Sequence, residues 1–120
     1  MSSQQSSSIS VPYVVNRSSV SPRDTGYGER VYELAGTENG NLHKHCIGIV
    51  DIDPGKSSRI HYHPSVEETY FVLQGQALIN IDGAEAIINS GDLITIPTSS
   101  HHKVTSLSDS EILQLYVTCA

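Results

Sequence analysis

Two histidines one residue apart, and a glutamate five residues beyond the second, stand in the stretch HYHPSVEETYFVLQG from His61 to Gly75. In a β-strand, residues i and i+2 point to the same face, so His61 and His63 project side by side. Pro64 and Ser65 then turn the chain, and a returning strand begins near Glu67 and Glu68. A carboxylate at the start of that strand meets the two imidazoles across the hairpin. Glu68 suits that position, while Glu67, its nearest competitor, points the other way in a regular strand. Two neutral imidazoles and one carboxylate from a single hairpin make a good half-site for a divalent metal. A second His-x-His pair, His43 and His45 in NLHKHC, has no carboxylate at ligand spacing, and Lys44 between them fits an exposed strand end.

The elements that must position these groups read as strands. ERVYELA, CIGIVDI, SSRIHYH, EETYFVLQGQALINI, AEAIIN, SGDLITIP, VTSL and EILQLYVTC are β-rich runs. They are separated by turn chemistry: TENGN, DPGK and the Asp82–Gly83 pair. Gly75, in the middle of the longest run, predicts a bend. No segment holds a helical period beyond two turns, so the pattern predicts an all-β sandwich or barrel. Residues 1–25 read as a Ser-rich extension, with nine serines in the first 21 residues and VPYVVN as a short strand able to pair with a sheet edge. Residues 26–120 read as one domain.

Composition narrows the function classes. With 120 residues, 38% of them apolar, the chain has room for one core. Its formal charge of −6 and the lack of any Lys/Arg run argue against a nucleic-acid partner. No apolar stretch approaches the roughly 18 residues of a membrane span, and MSSQQSSSIS lacks the features of a secretory leader, so no membrane role and a cytoplasmic location are expected. Cys46 and Cys119 read as two buried thiols that behave as small hydrophobes.

The spacing in Gly55–Gly75 also resembles the first motif of the cupin superfamily: a glycine, five residues, His-x-His, a short gap, a glutamate, six residues and a glycine. A segment similar to the second motif follows, with Gly91, Pro97 six residues on and His102 five beyond that. Two departures stand in it: Ser99 where the family usually has glycine, and Ser106 where it usually has asparagine. The resemblance covers roughly residues 29–118. It implies a double-stranded β-helix, the jelly-roll or cupin barrel, in which His61, His63, Glu68 and His102 bind one divalent ion (iron, manganese, nickel, copper or zinc). His102, beside His101, is selected by the family spacing alone.

Around that set, strand parity makes Tyr70 and Gln74 share the face of Glu68, and Arg59 share the face of His61. Tyr70 and His101 are the candidate catalytic groups, as hydrogen-bond donor and proton shuttle. Arg59 and Gln74 are the candidate substrate-binding groups. The resemblance implies a stand-alone metal-dependent enzyme acting on an oxygen-bearing small organic molecule. Its chemistry is either dioxygenase-like or that of a Lewis-acid isomerase, lyase or cyclase. The alternative is a non-catalytic, metal-dependent small-molecule binder. Exposed sheet edges make a homodimer the expected assembly.

Overall fold

The computed structural model describes residues 12–36, 42–59 and 65–120. Among these described residues nine strands follow in chain order: β1 (Arg23–Asp24), β2 (Glu29–Ala35), β3 (Cys46–Ile52), β4 (Glu68–Gln74), β5 (Gln76–Ile81), β6 (Ala84–Asn89), β7 (Leu93–Ile96), β8 (His102–Ser106) and β9 (Leu113–Cys119). They form a six-stranded sheet in the order β1-β2-β3-β9-β4-β7 and a three-stranded sheet in the order β6-β5-β8, with every pairing antiparallel. This is the two-sheet jelly roll of a double-stranded β-helix, and the described residues contain no α-helix, only a 3₁₀ turn at Arg17–Ser19. Among the described residues no helix is long and apolar enough to cross a membrane.

Alternation along the strands builds the core. On β9, Leu113, Leu115 and Val117 are buried while Tyr116 is exposed. On β4, Tyr70 and Val72 are buried and Phe71 and Leu73 face outward. These residues meet Ile52, Ile79, Ile88, Ile96 and Val104 between the two sheets. A strand with one buried face needs this period of two, because a slip of one residue would turn its whole apolar set to solvent.

The bend expected at Gly75 is where the chain leaves one sheet for the other: β4 ends at Gln74 and β5 opens at Gln76. Gly75 has φ +96°, and a Cβ there would stand 3.2 Å from the Cα of Leu113. The backbone conformation thus requires glycine, and the space for a Cβ is tight. The Asp82–Gly83 turn has positive φ at both residues, 51° and 89°, as a tight two-residue hairpin demands.

Three expectations are corrected. Pro12–Asn16, the described part of VPYVVN, is not a strand. Pro12 has no N–H to give a ladder, and the Asn16 side chain is engaged in capping the 3₁₀ turn, accepting from the Ser18 N–H. The turn is fastened instead by Arg17, whose guanidinium pairs with Asp51 and stacks over the Tyr32 ring. SSRIHYH contributes only an isolated bridge, Ser57 to Thr105, over its described residues. Cys46 and Cys119 are not free thiols but a disulfide, with Cα atoms 5.3 Å apart, because β3 and β9 place them directly opposite each other. The TENGN turn lies largely outside the described residues.

Candidate metal centre

Glu68 opens β4 and His102 opens β8, so each comes from the start of a strand in a different sheet. His102 Nε2 lies 2.9 Å from Glu68 Oε1, and both side chains are almost wholly buried. The other ring nitrogen, Nδ1, lies 3.1 Å from the carbonyl oxygen of Ser100. That contact fixes the ring and, when Nδ1 donates to the carbonyl, makes Nε2 the nitrogen that could ligate a metal. Histidine ligands are held this way at metal sites. Burial pulls the His102 pKa down, but the Glu68 carboxylate and the Ser100 carbonyl outweigh it, and the net shift is upward. The described part of the set therefore fits a divalent cation: a carboxylate oxygen and an oriented imidazole nitrogen converge in a dry site. His61 and His63 lie outside the described residues, and among the described residues no cluster of three metal-binding side chains occurs.

The turn that delivers His102 keeps its shape despite the departure in sequence. Ser99 stands where the resemblance expected glycine, and it adopts φ +64°. The left-handed conformation is retained with a serine in it, at the modest strain a Cβ imposes there.

Tyr70 packs edge-on against His102, with ring centroids 5.9 Å apart. Burial, and then the nearby Glu68 and Glu29 carboxylates, raise its pKa well above 10, so the phenol holds its proton at neutral pH. Tyr70 and Glu68 line a cavity of about 220 Å³ inside the larger sheet, together with Arg23, Glu29, Glu33 and the Cys46–Cys119 disulfide.

Other sequence candidates stand elsewhere. Gln74 is exposed, and its amide donates to the Ile112 carbonyl. A bulge between Val72 and Gln74 shifts the register and breaks the parity that grouped it with Tyr70. Arg59 is exposed, its guanidinium 5.3 Å above the Tyr27 ring, and it lines a separate surface cleft with Lys56 and Lys103. His101 is exposed, its Nδ1 3.9 Å from Asp82, because alternation at the start of β8 turns it away as it turns His102 inward. His43 and His45 are exposed, in keeping with their reading as a solvent-facing pair.

Glu29, which sequence reasoning missed, is the most unusual acid in the fold. It is 3% exposed, and its Oε1 has no hydrogen-bond partner among the described residues. The signal was present in ERVYELA, where Glu29, Val31 and Glu33 share one parity, but a glutamate on a strand ordinarily faces water. Burial raises its pKa above the ordinary 4.5, against the lowering effect of Arg23 and of the Arg59 backbone N–H and charge. An acid whose folded-state pKa is raised holds its proton in the native chain at pH values where the unfolded chain has released it. Stability therefore falls as pH rises from about 4.5 through the raised value. Glu29→Gln is expected to remove that loss. Its melting temperature should gain on wild type as pH rises through this window, and equal gains at pH 4 and pH 7 would contradict the assignment.

The Cupin domain family matches residues 48–119, and the chain belongs to that family. The crystal structure of an RmlC-like cupin from Shewanella frigidimarina superposes with a TM-score of 0.76 at 19% identity, covering 91% of this chain and 90% of that one. Among curated proteins, quercetin 2,3-dioxygenase of Bacillus subtilis is 31% identical over 100 residues, 77% of this chain and 27% of its own length. The polyketide synthase protein CurC of Streptomyces cyaneus is 26% identical over 70 residues, 58% of this chain and 46% of its own. The chain thus spans about half the length, or less, of these curated relatives.

Proposed function

We propose that this cupin is a metal-dependent enzyme acting on a small, oxygen-bearing organic molecule, with one divalent ion held by His61, His63, Glu68 and His102. The observation that carries the reading is the meeting of His102 Nε2 and Glu68 Oε1 at 2.9 Å beside a cavity, with the imidazole already oriented by Ser100. Three imidazoles and one carboxylate leave about two positions open on a six-coordinate ion, where a bound metal would polarise a substrate oxygen or bind dioxygen. The chain's own part is to exclude water, to hold the substrate in the cavity and to offer the protonated Tyr70 phenol as a hydrogen-bond donor.

Two chemistries fit. Similarity to a quercetin 2,3-dioxygenase favours an oxygenase. Similarity to a polyketide synthase protein favours a polyketide-like carbon skeleton, on which the ion would act as a Lewis acid. A metal-dependent binder without turnover is the reading that follows if neither reaction is found. Elemental mass spectrometry of the purified protein, beside His61→Ala, tests the proposal. About one ion per chain, lost in the variant, is expected. Iron, copper or nickel would direct the next step to oxygen-uptake assays, and zinc to isomerase, lyase and cyclase assays. No metal in wild type, even after reloading, would remove the basis of the proposal.

A further inference from the structure

We propose that Glu29 is a ligand-contacting group of the barrel cavity, its Oε1 accepting a hydrogen bond from the hydroxyl of a small, neutral, single-ring guest. The inference deepens the function proposed above and rests on its reading of the cavity as the substrate chamber. Glu29 lines that cavity, is 97% buried, and presents an oxygen with no partner among the described residues. Buried polar atoms are almost always satisfied, and one left open costs about as much as a lost hydrogen bond. An open acceptor at the wall of a chamber is one that a donor arriving with the ligand would satisfy.

The rest of the lining defines the guest. Glu29, Glu33 and Glu68 are acids, and Arg23 is the one cation among the described lining residues. The chamber thus offers chiefly acceptors, which suits a guest that brings donors and disfavours a free carboxylate or phosphate. Val31, Ile47, Val50 and Val117 supply apolar wall. The volume of about 220 Å³ exceeds the roughly 150 Å³ that suffices for benzene. It falls below the range of about 300 Å³ and more usual for drug-sized ligands. One substituted ring fits it.

Phenol and benzene are the probes, because they share a ring and differ by the hydroxyl. Their dissociation constants are measured by NMR shift perturbation on metal-loaded and metal-free wild type, Glu29→Gln and Glu29→Leu. Wild type should prefer phenol by about tenfold. Glu29→Gln, which keeps an acceptor oxygen, should retain most of the preference, and Glu29→Leu should bring the two probes to near parity. The preference should persist without metal, since Oε1 belongs to the chain. Failure of phenol to enter, absence of the preference in metal-free wild type, or its survival in Glu29→Leu would each overturn the assignment. If Glu29→Leu does not fold, the wild-type Glu29 carboxyl carbon resonance decides: it should move with phenol and not with benzene, and no movement overturns the proposal. Metal content of the same samples reports separately on the ligand set. A chain that keeps the phenol preference yet binds no ion would lose the metal reading and keep this one.

Discussion

Reduction of the Cys46–Cys119 disulfide is expected to lower the melting temperature by about 15–30 °C. The two cysteines are 73 residues apart in sequence. In the chain-entropy account, opening a loop of that size returns about 4 kcal/mol of freedom to the unfolded chain. Each kcal/mol is worth about 4–8 °C in a domain of roughly this size. Position adds to the effect. Cys119 is the register partner of Cys46 across β3–β9 and of Glu68 across β4–β9. The bond therefore ties β3 to β9 at the end where Glu68 opens the neighbouring β4, and it forms part of the cavity wall. Thermal melts with and without a phosphine reductant, repeated on the Cys46→Ser/Cys119→Ser double variant, check the prediction. A change of less than about 5 °C in both would show that the strands hold this end without the bond. Disulfides persist in oxidising compartments and are rare in cytosolic ones.

Most of the strands were legible because half-buried antiparallel strands leave a period of two in the chain. ERVYELA, CIGIVDI and AEAIIN fall on β2, β3 and β6 residue for residue. The Gly75 bend and the Asp82–Gly83 hairpin were legible because their backbone conformations exclude most other residues. What failed had a common cause: it depended on which strands meet, a fact no local pattern carries. The disulfide required knowing that β3 pairs with β9. The grouping of Gln74 with Tyr70 came from carrying parity across a bulge. Glu29 was passed over because a carboxylate on an alternating strand is solvent-facing by default, and only the closed barrel brings it beside Glu68 and Tyr70. Glu68 came from hairpin geometry together with the family spacing, and His102 from that spacing alone. The structure now places those two side by side.

His102→Ala is expected to weaken divalent-metal affinity by more than 100-fold, while His101→Ala leaves it within a few-fold of wild type. The two residues are adjacent in sequence and opposite in environment. His102 is 2% exposed, its Nδ1 at the Ser100 carbonyl and its Nε2 at Glu68 Oε1. The His101 side chain is 63% exposed and faces Asp82 on the outer surface. Loss of a residue that merely orients a ligand costs about 10–100-fold in affinity, so loss of a ligand should exceed that range. The comparison is demanding because both variants remove the same chemical group from the same turn. A general effect of losing an imidazole, or of disturbing the Ser99 turn, would weaken both alike. Competition against a chromophoric chelator measures the affinities, and circular dichroism confirms that each variant is folded. Equal losses would show that the turn, rather than the His102 ring, governs binding. A larger loss in His101→Ala would move the ligand one residue back and break the five-residue spacing from Pro97 on which the assignment rests.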